Sequence, residues 1–167
     1  MATKYGMYEN IVPLLAPVDI AANATATPMV DLKTAHDVTF LVSFGVLTSA
    51  SASVTAGPTV TVMCSSGSAT TGGTAIDFNY RLSAAVGTNT WGAVTSCAST
   101  GYVADIGGDG KALLIQVDPA AVQADHDLAR YVWVKLTPDA EDTVTLCGVI
   151  AFVSPIYKAT TMITTST

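Results

Sequence analysis

Short runs in which apolar and polar residues alternate recur along most of this chain. In the clearest run, Ile76–Leu82, four apolar residues alternate with Asp77, Asn79 and Arg81. Similar runs occupy Thr59–Cys64 and Tyr131–Leu136, and the apolar segment Ala112–Val117 predicts a further strand. A period of two is the signature of a strand with one buried face. About seven to nine such short strands, separated by turns rich in Gly, Ser and Thr, predict an all-β fold: an antiparallel β-sandwich, jelly-roll-like or immunoglobulin-like.

The longest apolar run of the first half, Val38–Leu47, predicts the central strand of this sandwich. Both of its faces carry apolar groups, which is typical of a strand that is covered on two sides. We expect one face to build the sandwich, and it consists of Phe40, Val42, Phe44 and Val46. The other face carries Leu41 and Leu47, with Ser43 and Gly45 between them. We expect the N-terminal arm or a neighbouring subunit to cover it.

A second long strand is predicted over Thr143–Val153, shortly before Pro155. One of its faces carries Val144, Leu146, Gly148, Ile150 and Phe152. The only helix-like segment lies near residues 119–129, where Asp118 can act as N-cap and Pro119 occupies the first helical position. We expect one or two helical turns there.

The two ends of the chain predict arms around a single sandwich domain. Pro13, Pro17 and Pro28 interrupt residues 1–30, and proline removes a backbone donor, so we expect an extended N-terminal arm. The sandwich domain then spans 31–153 and a C-terminal tail spans 154–167. The arm packs either on its own domain or on a neighbouring subunit. The apolar residues of the two ends that are predicted to make assembly contacts are Tyr5, Tyr8, Ile11, Leu14, Leu15, Ile156 and Tyr157.

Composition restricts the partners. Charged residues make up 12% of the chain, against about 25% in an average domain. Because the cores of contact surfaces are depleted in charge, we expect partners to cover part of this surface. The net charge of -6 and the seven dispersed Lys and Arg residues argue against binding to nucleic acid or to an anionic membrane. No apolar stretch reaches the roughly 18 residues of a membrane helix, and no signal-peptide pattern precedes the domain, so we expect the chain to begin near Met1.

The cysteines indicate a reducing compartment. Cys64, Cys97 and Cys147 lie far apart and none belongs to a C-x-x-C motif. An odd, dispersed set is typical of buried apolar thiols rather than of a disulfide framework.

Motifs for catalysis and for metal binding are not completed. Residues 107–111 lack the first glycine and the final Ser or Thr of a phosphate-binding loop. Asp105 and Asp109 are too few for a calcium loop, and the segment 125–127 (Asp-His-Asp) and the pair His36-Asp37 are read as surface polar groups. G-x-S-x-G is absent. The sequence therefore predicts no catalytic, cofactor-binding or metal-ligating residue.

Five aromatic residues leave a second possibility open. They are Trp91, Trp133, Tyr80, Tyr102 and Tyr131. They form either a stacking platform for sugars or part of the core and of subunit contacts, and the second interpretation is favoured.

Four segments of the chain together resemble small virion structural proteins of tailed bacteriophages, and most of all head decoration (capsid cement) proteins. They are VDLKTAHDVTFLVSFGVL, AIDFNYRLSAAVGTNTWGAV, KALLIQVDPAAV and YVWVKLTPDAEDTVTLCGVIAFVSPIY. The resemblance spans roughly Tyr5–Tyr157 and lies in overall pattern and strand order. It implies a β-sandwich without enzymatic activity or cofactor, made in the host bacterial cytoplasm. It also implies assembly on the outer head surface with the major capsid protein and with itself, commonly as a homotrimer.

Two alternatives remain open beside this expectation. One is a tail or head-fibre accessory module that binds host surface glycans, which requires aromatic residues exposed on one face. The other is a small β-sandwich hydrolase, which requires a histidine within hydrogen-bond reach of a serine or carboxylate in a pocket.

Overall fold

A computed structural model describes residues 10–50, 56–105, 109–156 and 164–165. These residues form two packed antiparallel sheets with one short helix, which confirms the predicted all-β sandwich. The described residues contain more strands than expected, because several strands have only two to four residues. The strands are β1 (Asn10–Asp19), β2 (Thr25–Ala26), β3 (Met29–Asp31), β4 (Ala35–Ser49), β5 (Ala56–Ser65), β6 (Thr74–Ile76), β7 (Phe78–Leu82), β8 (Thr95–Cys97), β9 (Tyr102–Asp105), β10 (Ala112–Val117), β11 (Tyr131–Thr137), β12 (Asp142–Pro155) and β13 (Thr164–Thr165).

The first sheet has the order β1-β12-β4-β10-β7-β8. The second sheet has the order β13-β3-β11-β5-β6, with β2 also paired to β11 and β9 to β5. Apolar side chains from the facing sides of both sheets form one core, among them Phe40, Leu113 and Val149 of the first sheet and Val62 and Val134 of the second. As predicted, β4 occupies a central position, between β12 and β10.

The helix α1 (Pro119–Asp125) begins where the capping residues predict. The Asp118 carboxylate accepts a hydrogen bond from the Ala120 N–H at 2.9 Å, and Pro119 is at the start of the helix. The helix ends after two turns, and Leu128 then adopts a left-handed conformation with φ 69°. A second, shorter 3-10 helix (Leu32–Thr34) is capped in the same way by Asp31.

The described part of the predicted N-terminal arm belongs to the sandwich. Residues 10–19 form β1, which pairs with β12 from Asn10↔Val153 to Asp19↔Leu146. Leu14 is buried in the core and Leu15 packs against it. The prolines that suggested an arm are tolerated because β1 is an edge strand, where one side of the backbone needs no strand partner.

The predicted faces of the central strand are wrong at its C-terminal end. Thr145 pairs with Leu47, and Cys147 with Phe44, so two steps along β12 match three along β4. This β-bulge inserts one extra residue into β4. The residues after the bulge therefore face the side opposite to the one that strict alternation predicts. Leu47 is therefore buried in the core at 2% exposure, whereas Val46, the expected core residue, is 49% exposed.

The run Ile76–Leu82 is divided between the two sheets. Ile76 and Phe78 are both buried, as the alternation predicts. However, β6 pairs with β5 in the second sheet and β7 pairs with β10 in the first. Asp77 lies at the crossing, and its carboxylate accepts a hydrogen bond from the Ser99 N–H at 2.7 Å.

The end of the chain stays close to its own domain where the structure describes it. The Ile156 N–H donates to the Thr34 carbonyl at 3.0 Å. Thr164 and Thr165 pair with Val30 and Met29, and so add β13 to the edge of the second sheet.

Candidate assembly surface

The outer face of the first sheet carries a continuous row of apolar residues. Pro13 pairs with Ile150, Ile150 with Leu41, and Leu41 with Leu114, so the row crosses β1, β12, β4 and β10. The residues directly before and after each of these four along its own strand point to the core instead. Pro13 is exposed and the other three side chains are half-buried, since they shield one another. We call this row the ridge.

Further apolar side chains extend the ridge on both sides. Ile11, which is 51% exposed, pairs with the half-buried Phe152 in the next outward row. Beyond Leu114, Val94 is 55% exposed and lies beside Leu114 and Arg81 in a shallow depression. An antiparallel sheet with a solvated outer face normally presents polar residues there. Here the ridge is apolar over four strands, while the row beside it continues from Phe152 into the polar Thr39 and Gln116.

A row of small residues runs parallel to the ridge on its other side. Gly148 pairs with Ser43, and Ser43 with Ala112. The Ser43 hydroxyl donates to the Gly148 carbonyl at 3.3 Å, so it is turned toward the backbone. Pro17 closes one end of the row, because a Cβ on Gly148 would lie 3.4 Å from its ring. We call this row the trough.

Neutral residues make up both rows. The ridge, the trough and the Ile11–Phe152 row contain no carboxylate and no cation. Arg81, which pairs with Leu114, lies just outside the ridge and is exposed. Contacts with this face must therefore gain their free energy mainly from apolar burial rather than from charge pairing.

Part of the outer face of the second sheet is covered by the chain itself. Trp133 is fully buried there at 0% exposure, in a small cluster with Met29, Tyr131 and Met63. Gly73 lies directly against its ring. The two sheets therefore differ: the middle of one outer face is closed by its own side chains, and the other presents apolar rows.

The structure divides the predicted assembly residues into three groups. Ile11 and Leu41 lie on the apolar face, and Ile156 is exposed at the opposite end of β12 from the bulge. Leu14 and Leu47 are buried in the core, and the half-buried Leu15 packs against it. Tyr5, Tyr8 and Tyr157 lie outside the described residues.

Sequence reasoning missed most of the ridge. Ile150 and Phe152 were grouped correctly on one face of β12, but that face is the outer one, while Cys147, Val149, Ala151 and Val153 point to the core. Leu114 was hidden within the continuous apolar run Ala112–Ile115. The available signal was the two-sided apolar character that β4, β10 and β12 share.

The sugar platform, the less favoured interpretation of the aromatic residues, is not assembled. Trp133 and Tyr131 are buried, and Tyr80 and Tyr102 contact each other with ring centroids 4.9 Å apart at the core boundary. Trp91 forms an isolated bridge with Ser83 and is half-buried. These rings are distributed over both sheets and do not share one exposed face.

Two polar clefts flank α1. One, of about 540 Å³, is lined by His126, Asp125 and Asp77; the other, of about 840 Å³, by His36 and Lys33. Gln116 and Asp118 line both, so the histidines stand on opposite sides of the helix. Within the described residues neither imidazole is hydrogen-bonded to a serine or a carboxylate, and no group of three or more His, Cys, Asp or Glu residues is placed to hold a metal ion.

The thiols occupy apolar surroundings. Cys64 and Cys147 are buried, Cys97 is half-buried and all three are free. Burial raises the pKa of Cys147 to about 12, and nearby Asp142 and Asp19 act in the same direction. A thiol in this state is a poor nucleophile.

Comparisons with known proteins add no relative: the chain matches no protein-family model, no curated protein and no solved structure. Across the stretches that the structure covers, no helix is long and apolar enough to cross a lipid bilayer. The outer face of the first sheet is therefore the feature from which a function is argued.

Proposed function

We propose that this chain is a non-enzymatic structural protein of a tailed-bacteriophage virion, which decorates the head and stabilises the lattice of the major capsid protein. The observation that carries the proposal is the ridge, with the uncharged rows beside it, on the outer face of the first sheet. Contiguous apolar surface of this kind marks interaction sites in proteins. Each Å² removed from water is worth roughly 25 cal/mol before ordering costs, so the face favours assembly over an isolated monomer.

The two polar clefts beside α1 support an assembly role over the hydrolase alternative. The two histidines lie in separate clefts, and neither ring is hydrogen-bonded to a serine or carboxylate of the described residues. A general base must lie within hydrogen-bond reach of the group that it activates. The aromatic rings are scattered over both sheets, and each is buried or half-buried, which likewise weighs against the glycan-binding alternative.

Charge and redox state are consistent with the proposed location. A net charge of -6 suits the outside of a head better than the inside, where DNA phosphates repel an acidic protein. Three free thiols are compatible with synthesis in a bacterial cytoplasm.

Copy number tests the proposal directly. Virions of the phage or prophage that encodes this chain would be purified, and the protein would be quantified against the major capsid protein by gel densitometry and mass spectrometry. Hundreds of copies per particle are expected for head decoration. A few to a few dozen copies would replace head decoration by a tail or portal-associated role, and absence from the particle would overturn both virion assignments.

Particle stability provides the functional readout. Virions produced without this protein should lose infectivity at a lower temperature than complete virions. Addition of the purified full chain should restore the original inactivation temperature, whereas an unrelated β-sandwich protein at the same concentration should not. Unchanged inactivation in its absence would contradict a cementing role.

A further inference from the structure

The indole of Trp133 is enclosed, yet its N–H has no hydrogen-bond acceptor among the described residues. Trp133 is 0% exposed, and its Nε1 is a buried nitrogen without a partner. Buried polar groups in native proteins are nearly always paired, so each exception requires a physical reason. We propose that residues 66–73, the loop between β5 and β6, form a lid that opens over this indole while the sandwich stays folded.

The lid lies against the edge of the ring that bears the N–H. A Cβ on Gly73 would overlap Cη2 of Trp133 and lie 2.5 Å from Cζ2. Cζ2 adjoins the carbon that is bonded to Nε1, so the backbone of the lid closes this side of the indole. The other residues of the cluster, Met29, Tyr131 and Met63, belong to strands β3, β11 and β5. The lid is therefore the part of the enclosure that can move without separating strands.

Few interactions hold the lid closed. Within the described residues it makes one hydrogen bond, from the Gly67 N–H to Ser65 Oγ at 3.0 Å. None of its side chains is larger than that of threonine, and all of its residues are exposed except the half-buried Thr70 and Gly73. A segment with few buried apolar contacts and few hydrogen bonds opens locally at a low free energy.

Two glycines provide a hinge at the end of the lid. The pairing of β5 with β6 extends to Cys64↔Thr74, so the chain is anchored directly on both sides of the loop. Gly72 and Gly73 precede Thr74, and glycine changes φ at little steric cost. Gly72 has φ 84°, and a Cβ there would meet nothing within 4 Å. Rotation at these two residues lifts the lid and leaves the strands paired.

The unpaired N–H favours the open form. In the closed form this donor bears the whole cost of its desolvation, because it has lost water and gained no acceptor. When the lid opens, water supplies the acceptor, while the lid gives up the contacts of Gly73, a residue without a side chain. The closed and open forms should therefore differ in free energy by much less than the folded and unfolded chains do.

An open lid presents a hydrogen-bond donor on an aromatic ring at the outer face of the second sheet. Met29, Tyr131 and Met63 flank this ring, so the surface uncovered is apolar with one directed donor. The ridge lies on the other sheet, and the lid is therefore a second device of the fold. Its test does not depend on the virion role.

Hydrogen exchange of the Trp133 indole proton tests the lid. NMR of the ¹⁵N-labelled full chain follows this proton, and Trp91→Phe identifies which of the two indole signals belongs to Trp133. Its protection factor should be about 100-fold lower than those of the most protected amides of β4 and β12. It should also be insensitive to urea below the unfolding transition, because local opening exposes little surface. Protection equal to those amides, with the same urea dependence, would overturn the proposal, and a rigid loop that traps a water on the N–H would give that result.

Gly73→Ala tests whether this loop is the part that opens. The added methyl group overlaps the indole in the closed form and is free of it in the open form, so exchange should become at least about tenfold faster. Gly67→Ala is the matched control in the same lid, because its Cβ would meet nothing closer than the Ser65 Oγ at 3.9 Å. Its exchange rate should stay within about twofold of wild type. Equal rates in the two variants would overturn the assignment of the lid, and the wild-type measurement decides the proposal even if Gly73→Ala fails to fold.

Discussion

The carboxylate of Asp109 accepts a hydrogen bond from the backbone N–H of Leu47 at 2.8 Å. This bond forms at the bulge of β4, where the extra residue interrupts regular pairing. The next residue of the loop, Gly110, donates to the Gly45 carbonyl at 3.2 Å, and Phe44 donates to Lys111 at 2.9 Å. A loop that the sequence presents as a candidate phosphate or calcium site thus holds the central strand in its bulged path.

Removal of the Asp109 carboxylate should destabilise the fold. Asp109→Ala leaves the Leu47 N–H without its acceptor, and we expect a loss of about 1–2 kcal/mol in the free energy of unfolding. Asp109→Asn keeps an oxygen acceptor and should lose less. Urea unfolding measures both variants. Asp125→Ala is the control, since this exposed carboxylate has no hydrogen bond among the described residues, and it should change stability by less than about 0.5 kcal/mol.

The bulge also makes opposite predictions for two adjacent residues. Leu47→Ala should cost about 2–5 kcal/mol, because its side chain is buried in the core. Val46→Ala should cost less than about 0.5 kcal/mol, because that side chain faces solvent. Thermal or urea unfolding compares the two variants. If β4 were regularly paired, Val46→Ala would be more destabilising than Leu47→Ala, and that result would refute the bulge.

The contact between Gly73 and Trp133 predicts a third effect. A Cβ on Gly73 would overlap Cη2 of Trp133, so Gly73→Ala should destabilise the chain by about 1–3 kcal/mol through overpacking. The tryptophan fluorescence of the folded variant should also shift, since the buried indole must move. Gly67→Ala is the matched control in the same loop, because its Cβ would meet nothing closer than the Ser65 Oγ at 3.9 Å. Equal stability of the two variants would contradict the close packing.

Two aspartates should make the fold sensitive to acid. Backbone N–H groups of Thr145 and Ala21 donate to Asp19 and lower its pKa below the usual 3.8. Partial burial disfavours the charged form of Asp31, but hydrogen bonds from Arg130 and the Lys33 N–H outweigh it, so the pKa of Asp31 is also lowered. A carboxyl with a lowered folded-state pKa contributes stability above its unfolded pKa and loses it as the pH falls through the folded value.

Urea midpoints measured between about pH 5 and about pH 2 test this linkage. The wild-type midpoint should fall as the pH decreases below about 4. Asp19→Asn and Asp31→Asn should each show a shallower fall, because one titrating group has been removed. Curves parallel to wild type would show that these carboxylates do not contribute to the acid transition.

Local signals predicted several elements correctly because their causes are local. The cap formed by Asp118 and the position of Pro119 determine where α1 begins, whatever packs on it. The alternation over Ile76–Leu82 indicates which side chains are buried, since a strand turns each side chain to the opposite face from the last.

The sequence by itself thus determined the all-β class, the helix start and the overall β-sandwich. The tertiary structure alone decided which partner each strand took and which of two apolar faces turned inward. At Asp77 the chain passes from the second sheet to the first without any break in the alternation. The inner faces of both sheets turn toward the same core, so the alternation of buried side chains continues although the hydrogen-bond partners change. At the bulge of β4, one extra residue exchanges the faces expected for Val46 and Leu47, so that Val46 is exposed and Leu47 is buried. The reason is that a one-residue shift moves every following side chain to the other face. The strands that carry Leu41 and Ile150 have apolar residues on both faces. Only the position of the second sheet therefore decides that these two residues lie on the outside.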